Sequence, residues 1–482
     1  MTSRRLRTAW TALTAVVVVV AVVLGLTTGV LAELAGRGLY AAGLWSPNGA
    51  STVPPGTFDA PASTRPRGSS TPAPAADLPS AVLAPAPSSG DPSPRRVAER
   101  IESVDDEEMG GRYSALVTGL GSGDVLYSHR AGQASIPAST LKLLTATAAL
   151  SRLGADHTFA TTVVRSGSRL VLVGGGDPYL TRAASRRRPR RASLEALAAD
   201  TARALARTRT RKVTLGYDTS LFSGPAWNPS WPDGYADQVT PVSALWVDEG
   251  RAGGGSPGPR VADPAGDAAR VFAAALEDRG IEVAAPVRRR APEGATTVAT
   301  VRSLPLAQVV QKMLMASDND AAEVLLRQVA LASHQAGSTA AGVRAVRAEL
   351  SRLRIGTTGL RLLDGSGLAR QNQVPARTLV QVLRTAASAR HPGLRAVVTG
   401  LPVAGVEGSL AVHYTDAQSE AGRGVVRGKT GTLSQVHALA GYLRTDDGTL
   451  VAFAFLVEDA TDDYAAKVWL DRVSTALSRC GC

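Results

Sequence analysis

At 482 residues the chain exceeds one ordinary domain. Its formal charge is +12, yet almost all the cations are arginine; the lysines are only Lys142, Lys212, Lys312, Lys429 and Lys467. The cysteines, Cys480 and Cys482, lack the His or acidic cluster that would make a metal site, and a bridge between residues two apart is strained, so they read as a frayed tail.

Arg4, Arg5 and Arg7 precede an uncharged run from Thr8 to Ala32, which Glu33 ends. Such a run is long enough to span a bilayer, and the arginines predict a cytoplasmic amino end. Residues 1–36 therefore read as an anchor; cleavage after Val30-Leu31-Ala32 as a signal peptide is the alternative. Either way the remainder is exported. Residues 37–96, rich in Pro, Ala, Ser, Thr and Gly, read as a disordered spacer.

Strands are predicted at Arg112 to Val117 and Val125 to Ser128, around the turn residues Gly121 to Asp124. Ser139 then opens a helix running through Leu141 to Leu153, stopped by Gly154. In the long region 159–301, Leu170 to Val173 and Val213 to Asp218 read as strands and Ala265 to Arg279 as a helix. Gly174-Gly175-Gly176 lacks a phosphate-loop frame and reads as a tight turn. Leu306 to Ala316 and Ala321 to Leu331 have helical spacing, with Ser317-Asp318-Asn319 in the break. Leu363 to Leu368 reads as a turn with a supporting role near the cleft. Lys429-Thr430-Gly431-Thr432 precedes an antiparallel pair, His437 to Arg444 and Thr449 to Val457, and Tyr464 to Leu477 forms an amphipathic helix. The fold class is α+β: strands from both chain ends share one antiparallel sheet, with helices on both faces.

Three segments carry chemistry. Residues three apart on a helix share a face, so the Lys142 amine reaches the Ser139 hydroxyl. A serine alcohol is a weak nucleophile and needs a base, and a lysine serves only with a lowered pKa. Arginine cannot take that role. Alone, Ser-x-x-Lys is commonly a helix cap and a surface lysine. Followed in order by Ser317-Asp318-Asn319 and Lys429-Thr430-Gly431, it becomes the signature of penicillin-binding proteins and serine β-lactamases. Gly254 to Gly258 fits G-x-S-x-G by chance, in a Gly/Pro loop rather than between a strand and a helix. The arginine runs 185–191 and 288–290 read as solvated loops; no aromatics are interleaved, and no nucleic-acid partner is expected.

On Pro137 to Lys142, Gly174 to Pro178, Ser317 to Asn319, Asp364 to Leu368, Leu401 to Gly405 and Gly428 to Thr432, the chain resembles the D-alanyl-D-alanine carboxypeptidase/endopeptidase family of low-molecular-mass penicillin-binding proteins. The resemblance implies a penicillin-binding/β-lactamase-like catalytic domain from residues 97–158 and 302–482, with one or two domains inserted at 159–301. It implies that Ser139 attacks the carbonyl between the last two D-alanines of a peptidoglycan stem peptide while Lys142 takes its proton. Ser317 relays a proton to the leaving amine, and Asn319 holds substrate and Lys142. Lys429, Thr430, Gly431 and Thr432 bind the substrate, with Lys429 also depressing the Lys142 pKa, and the N–H groups of Ser139 and Thr432 form the oxyanion hole. No metal or organic cofactor is implied, and β-lactams are expected as covalent inhibitors. A serine β-lactamase and a wall-binding protein with a vestigial cleft are the alternatives.

Overall fold

Pro94, at the end of the predicted spacer, opens the first helix: its fixed φ suits a first helical turn, where no N–H is needed. The structure is a computed structural model that describes residues 93–185, 188–252 and 257–481. The Thr8 to Ala32 run, the spacer up to residue 92, Arg186, Arg187, Ser256 and Cys482 lie outside the described residues. Among those described, no helix is long and apolar enough to cross a membrane.

In chain order the main elements are α1 (Pro94–Glu102), β1 (Arg112–Gly119), β2 (Val125–His129), α2 (Lys142–Leu153), β3 (Ala160–Ser166), β4 (Arg169–Val173), α3 (Leu194–Arg207), β5 (Lys212–Asp218), α4 (Pro264–Glu277), β6 (Glu282–Arg288) and β7 (Thr296–Arg302). They continue with α5 (Leu306–Ala316), α6 (Asn319–Ala332), α7 (Thr339–Arg352), α8 (Ala376–Ala387), β8 (Arg427–Leu433), β9 (Val436–Arg444), β10 (Leu450–Glu458) and α9 (Asp463–Ser478).

Strands from both ends of the chain meet in a five-stranded sheet ordered β8-β9-β10-β1-β2, antiparallel throughout. The two-residue alternation of β10 explains its layers. Val451, Phe453, Phe455 and Val457 enter one core with α1 and α9. Ala452, Ala454 and Leu456 enter the other, beneath α8 and the helices around α2. Alanines on that face, with Ala438 and Ala440 of β9, let the helices approach closely. β8 forms one edge of this sheet, paired with β9 and, on its other side, bridged at its start, where Arg427 meets Val403.

Residues 160–302 build a second five-stranded sheet, ordered β6-β5-β4-β3-β7, in which β4, β5 and β6 run parallel. Helices α3 and α4 pack on it around Phe272, Leu197 and Leu215. Its parallel pairs are joined through these helices, as parallel connections require. The predicted frayed tail is corrected at Cys480: two residues past the end of α9 it donates its N–H to the Leu477 carbonyl at 3.2 Å, packs buried into the α9 core and is disulfide-bonded.

Candidate active site

Ser139 does not begin the α-helix as predicted. It sits in a 3-10 turn, Ala138–Leu141, that leads into α2 at Lys142. Ala138 takes a left-handed φ of 43°, a conformation that is strained for alanine and held by its surroundings. Thr140 donates through Oγ1 to the Pro137 carbonyl at 2.6 Å and ties the turn down. Two glycines press on it. A Cβ on Gly367, whose φ is 88°, would stand 1.9 Å from the Ala138 carbonyl; one on Gly431 would stand 2.6 Å from that of Pro137. Glycine at these places is therefore a matter of close backbone approach.

The short turn still places Lys142 three residues from Ser139 on one side. Its Nζ lies 2.7 Å from Ser139 Oγ, 2.7 Å from Asn319 Oδ1 and 2.8 Å from the Ser366 carbonyl oxygen. The amine is fully buried, and burial lowers its pKa to about 8 against the opposing pull of Asp364, Asp318, Glu323 and Asp320. The partners fit the neutral form. A neutral amine has two hydrogens and one lone pair; Asn319 Oδ1 and the Ser366 carbonyl only accept, so they take the hydrogens and leave the lone pair facing the Ser139 hydroxyl.

Ser317 terminates α5 in a left-handed conformation, φ 55°, which turns its hydroxyl out of the helix line. Asp318 caps α6 by accepting from the Ala321 N–H at 3.0 Å, and Asn319 is the first residue of α6. Lys429, from β8, donates to Ser317 Oγ at 2.8 Å and to the Thr430 carbonyl at 2.9 Å. Burial first, and then the Lys142 charge, push Lys429 well below the usual lysine range. Burial is the first cause for both amines, and the repulsion between them disfavours the charged form of each.

The structure thus joins Ser139, Lys142 and Asn319 in one hydrogen-bonded set and Ser317 and Lys429 in another. Gly431 packs on the Ser139 turn, and Thr430 and Thr432 lie beside it on the edge strand β8. Sequence reasoning missed Ser409, whose hydroxyl lies 2.8 Å from that of Thr430, and the Gln238 carbonyl, which accepts from Asn319 Nδ2 at 3.1 Å. Neither has a signature, since one is a lone serine and the other a backbone group. The turn at Asp364 to Gly367 was legible as a neighbour of the cleft; that its Ser366 carbonyl binds Lys142 was not. The carboxylates of Glu249, Asp318 and Asp320 converge within 4.8 Å, but Arg251, Arg260 and Lys312 already pair with them, so the cluster is an ion network.

The chain matches the D-Ala-D-Ala carboxypeptidase 3 (S13) family over residues 97–253 and 256–478. It is 34% identical over 399 residues to a carboxypeptidase of Mycobacterium tuberculosis, covering 81% of this chain and 85% of that one. It is 31% identical over 451 residues to a D-alanyl-D-alanine carboxypeptidase of Actinomadura sp., covering 75% of this chain and 81% of the relative. In fold it is similar to penicillin-binding protein 4 (DacB) of Haemophilus influenzae, with a TM-score of 0.66 at 22% identity over 80% of this chain and 99% of the other. With nearly the whole described length matched, the chain belongs to the D-Ala-D-Ala carboxypeptidase family S13.

Proposed function

We propose that this protein is a penicillin-sensitive serine D-alanyl-D-alanine carboxypeptidase/endopeptidase that trims peptidoglycan stem peptides through an acyl-enzyme on Ser139. The observation that carries it is the buried Lys142 amine, 2.7 Å from Ser139 Oγ, with Asn319 Oδ1 and the Ser366 carbonyl as its other partners. As Ser139 Oγ attacks the carbonyl between the last two D-alanines, its proton passes to Lys142. The oxyanion forms against the backbone N–H groups of Ser139 and Thr432, each such donor being worth on the order of 3 kcal/mol. When the C–N bond breaks, Ser317, held by Lys429, relays a proton to the leaving amine, and terminal D-alanine departs. Water then hydrolyses the ester, releasing the shortened peptide and the Ser139 alcohol.

Asn319 positions the substrate backbone together with Lys142. Lys429 and Thr430 receive the substrate carboxylate, with Gly431 and Thr432 along the same edge. A carboxylate arriving beside Lys429 favours its charged form and restores the proton that burial disfavours. The chain's side chains and backbone N–H groups, with water, supply every step of this reading. Glu323 is unsuited to activate a hydrolytic water as a β-lactamase glutamate does. Burial raises its pKa, and its Oε1 is already committed to accepting from the Gly365 and Ser366 N–H groups. β-Lactams therefore acylate Ser139 and stay.

The catalytic unit comprises residues 97–158 and 302–482, with 159–301 inserted. The Thr8 to Ala32 run supports an amino-terminal anchor that holds this unit outside the cytoplasm, where peptidoglycan lies. The test is D-alanine release from a synthetic pentapeptide ending in D-Ala-D-Ala, beside cleavage of purified cross-linked muropeptides, with fluorescent penicillin labelling of wild type and Ser139→Ala. Release and labelling by the wild type alone are expected. Fast nitrocefin turnover without D-alanine release would instead identify a β-lactamase, and no labelling at all a binding protein.

A further inference from the structure

Three successive residues at the start of α6 are held by one stretch of the inserted region. Asp318 Oδ2 lies 3.2 Å from Arg251 Nη2. Asn319 Nδ2 donates to the Gln238 carbonyl at 3.1 Å. Asp320 Oδ1 accepts from the Thr240 N–H at 2.7 Å, while its Oδ2 faces Arg260 at 3.4 Å and Arg251 at 3.6 Å. The stretch is closed on itself: Thr240 Oγ1 donates to the Glu249 carbonyl at 2.6 Å, and Arg251 Nη2 lies 2.6 Å from Glu249 Oε2. Lys312 of α5 completes the set at 3.2 Å from Glu249. Asp248, Glu249 and Gly250 are all left-handed, with φ of 49°, 59° and 66°. Two consecutive non-glycine residues in that region persist only where the surroundings hold them.

This arrangement sets the orientation of one amide. Lys142 offers its two hydrogens to acceptors only, so Asn319 must present Oδ1 to it. With Nδ2 satisfied by the Gln238 carbonyl, the reversed amide would face a donor with a donor and a carbonyl with an oxygen. The backbone that carries Asn319 is pinned by its two acidic neighbours, and the cation common to both is Arg251. Buried ion pairs are poor sources of stability relative to apolar side chains of the same size. Their directionality is what an apolar replacement lacks.

We propose that Arg251 is a positioning residue for the acylation step: through Asp318 and Asp320 it makes the inserted strap, residues 238–251, a working part of the site by fixing Asn319 on Lys142 and Ser317 on Lys429. This rests on the roles given to those residues under Proposed function. Arg251 acts one residue removed from the reacting atoms, so it governs the rate of bond formation and not the initial docking of a ligand.

The test is stopped-flow acylation by a fluorescent penicillin of wild type, Arg251→Lys, Arg251→Met and Ser139→Ala, over a range of drug concentrations that separates the acylation rate constant from the non-covalent dissociation constant, with a thermal melt of each protein. Arg251→Met is expected to acylate on the order of 10- to 100-fold more slowly, the scale of a small misplacement at a site, with the non-covalent constant unchanged; Arg251→Lys falls between. A folded Arg251→Met that acylates at the wild-type rate, or whose loss lies wholly in non-covalent binding, overturns the proposal. If Arg251→Met shows no cooperative melt, Arg251→Lys decides: a lowered melting temperature with a wild-type rate overturns it, and a slowed rate with unchanged binding supports it. Acylation of Ser139→Ala would sink the functional reading itself, a separate failure.

Discussion

The two five-stranded sheets solve different problems. The sheet that carries β8 is antiparallel and covered on both faces, with phenylalanines under α9 and alanines under α8. The sheet of the inserted region is mixed, and its outer strand β6 leaves most of its side chains exposed or half-exposed. A strand that must meet a nucleophile turn at backbone contact is fixed by packing above and below it. The insertion, with one well-covered layer, reaches the site through an irregular strap and ion pairs instead. Precision is thus built in two ways within one chain, by packing in one region and by directional polar contacts in the other.

The largest expected effect removes the base while keeping its charge. Lys142→Arg cannot deprotonate, and acylation by penicillin should fall on the order of 10²- to 10⁴-fold, read by stopped flow. A near-normal rate would show that the proton goes elsewhere. Next, Phe455→Ala in the doubly covered sheet should cost about 3–5 kcal/mol in urea unfolding, whereas Val287→Thr on exposed β6 should stay within about 0.5 kcal/mol. Equal losses would erase the difference between the sheets.

A pair of glycines sharpens the contrast. Gly431→Ala drives a methyl against Pro137 and should slow acylation roughly 10- to 100-fold. Gly280→Ala, in open space at φ 75° after α4, should lose about 1 kcal/mol of stability and no activity. The last effect is one of pH. Only the neutral Lys142 accepts a proton, so with its pKa lowered to about 8 the acylation rate should rise as pH rises towards 8 and level off beyond it. Below that point each pH unit removes about ten-fold of the neutral amine. A rate that falls as pH rises from 6 to 8 would assign the base to another group.

The catalytic half was the more legible. Val436–Arg444, Leu450–Glu458 and the α9 helix differ from prediction by a residue or two, because their apolar alternation is dense and their turns carry Gly and Asp. In the insertion β4 and β5 were readable as short apolar runs, while β3, β6 and β7 were not. The burial of β6 and β7 alternates weakly, and Pro286 lies in β6 where its register with β5 shifts. The side chains proposed for catalysis stood out in the sequence because chemistry restricts their identity. Ser409, the Ser366 and Gln238 carbonyls and Arg251 were not, since backbone acceptors leave no letter and one arginine is lost among many in this chain.

The crowding around Lys142 makes the pocket sensitive to a single heavy atom. Asn319→Asp would replace an NH2 by an oxygen with almost no change of outline, yet it would set a negative charge 2.7 Å from the amine and face the Gln238 carbonyl oxygen with another oxygen. The amine would be held as ammonium and the alcohol left inert. A descendant of this protein with every contour preserved would then be a silent shell, and shape alone would never reveal it.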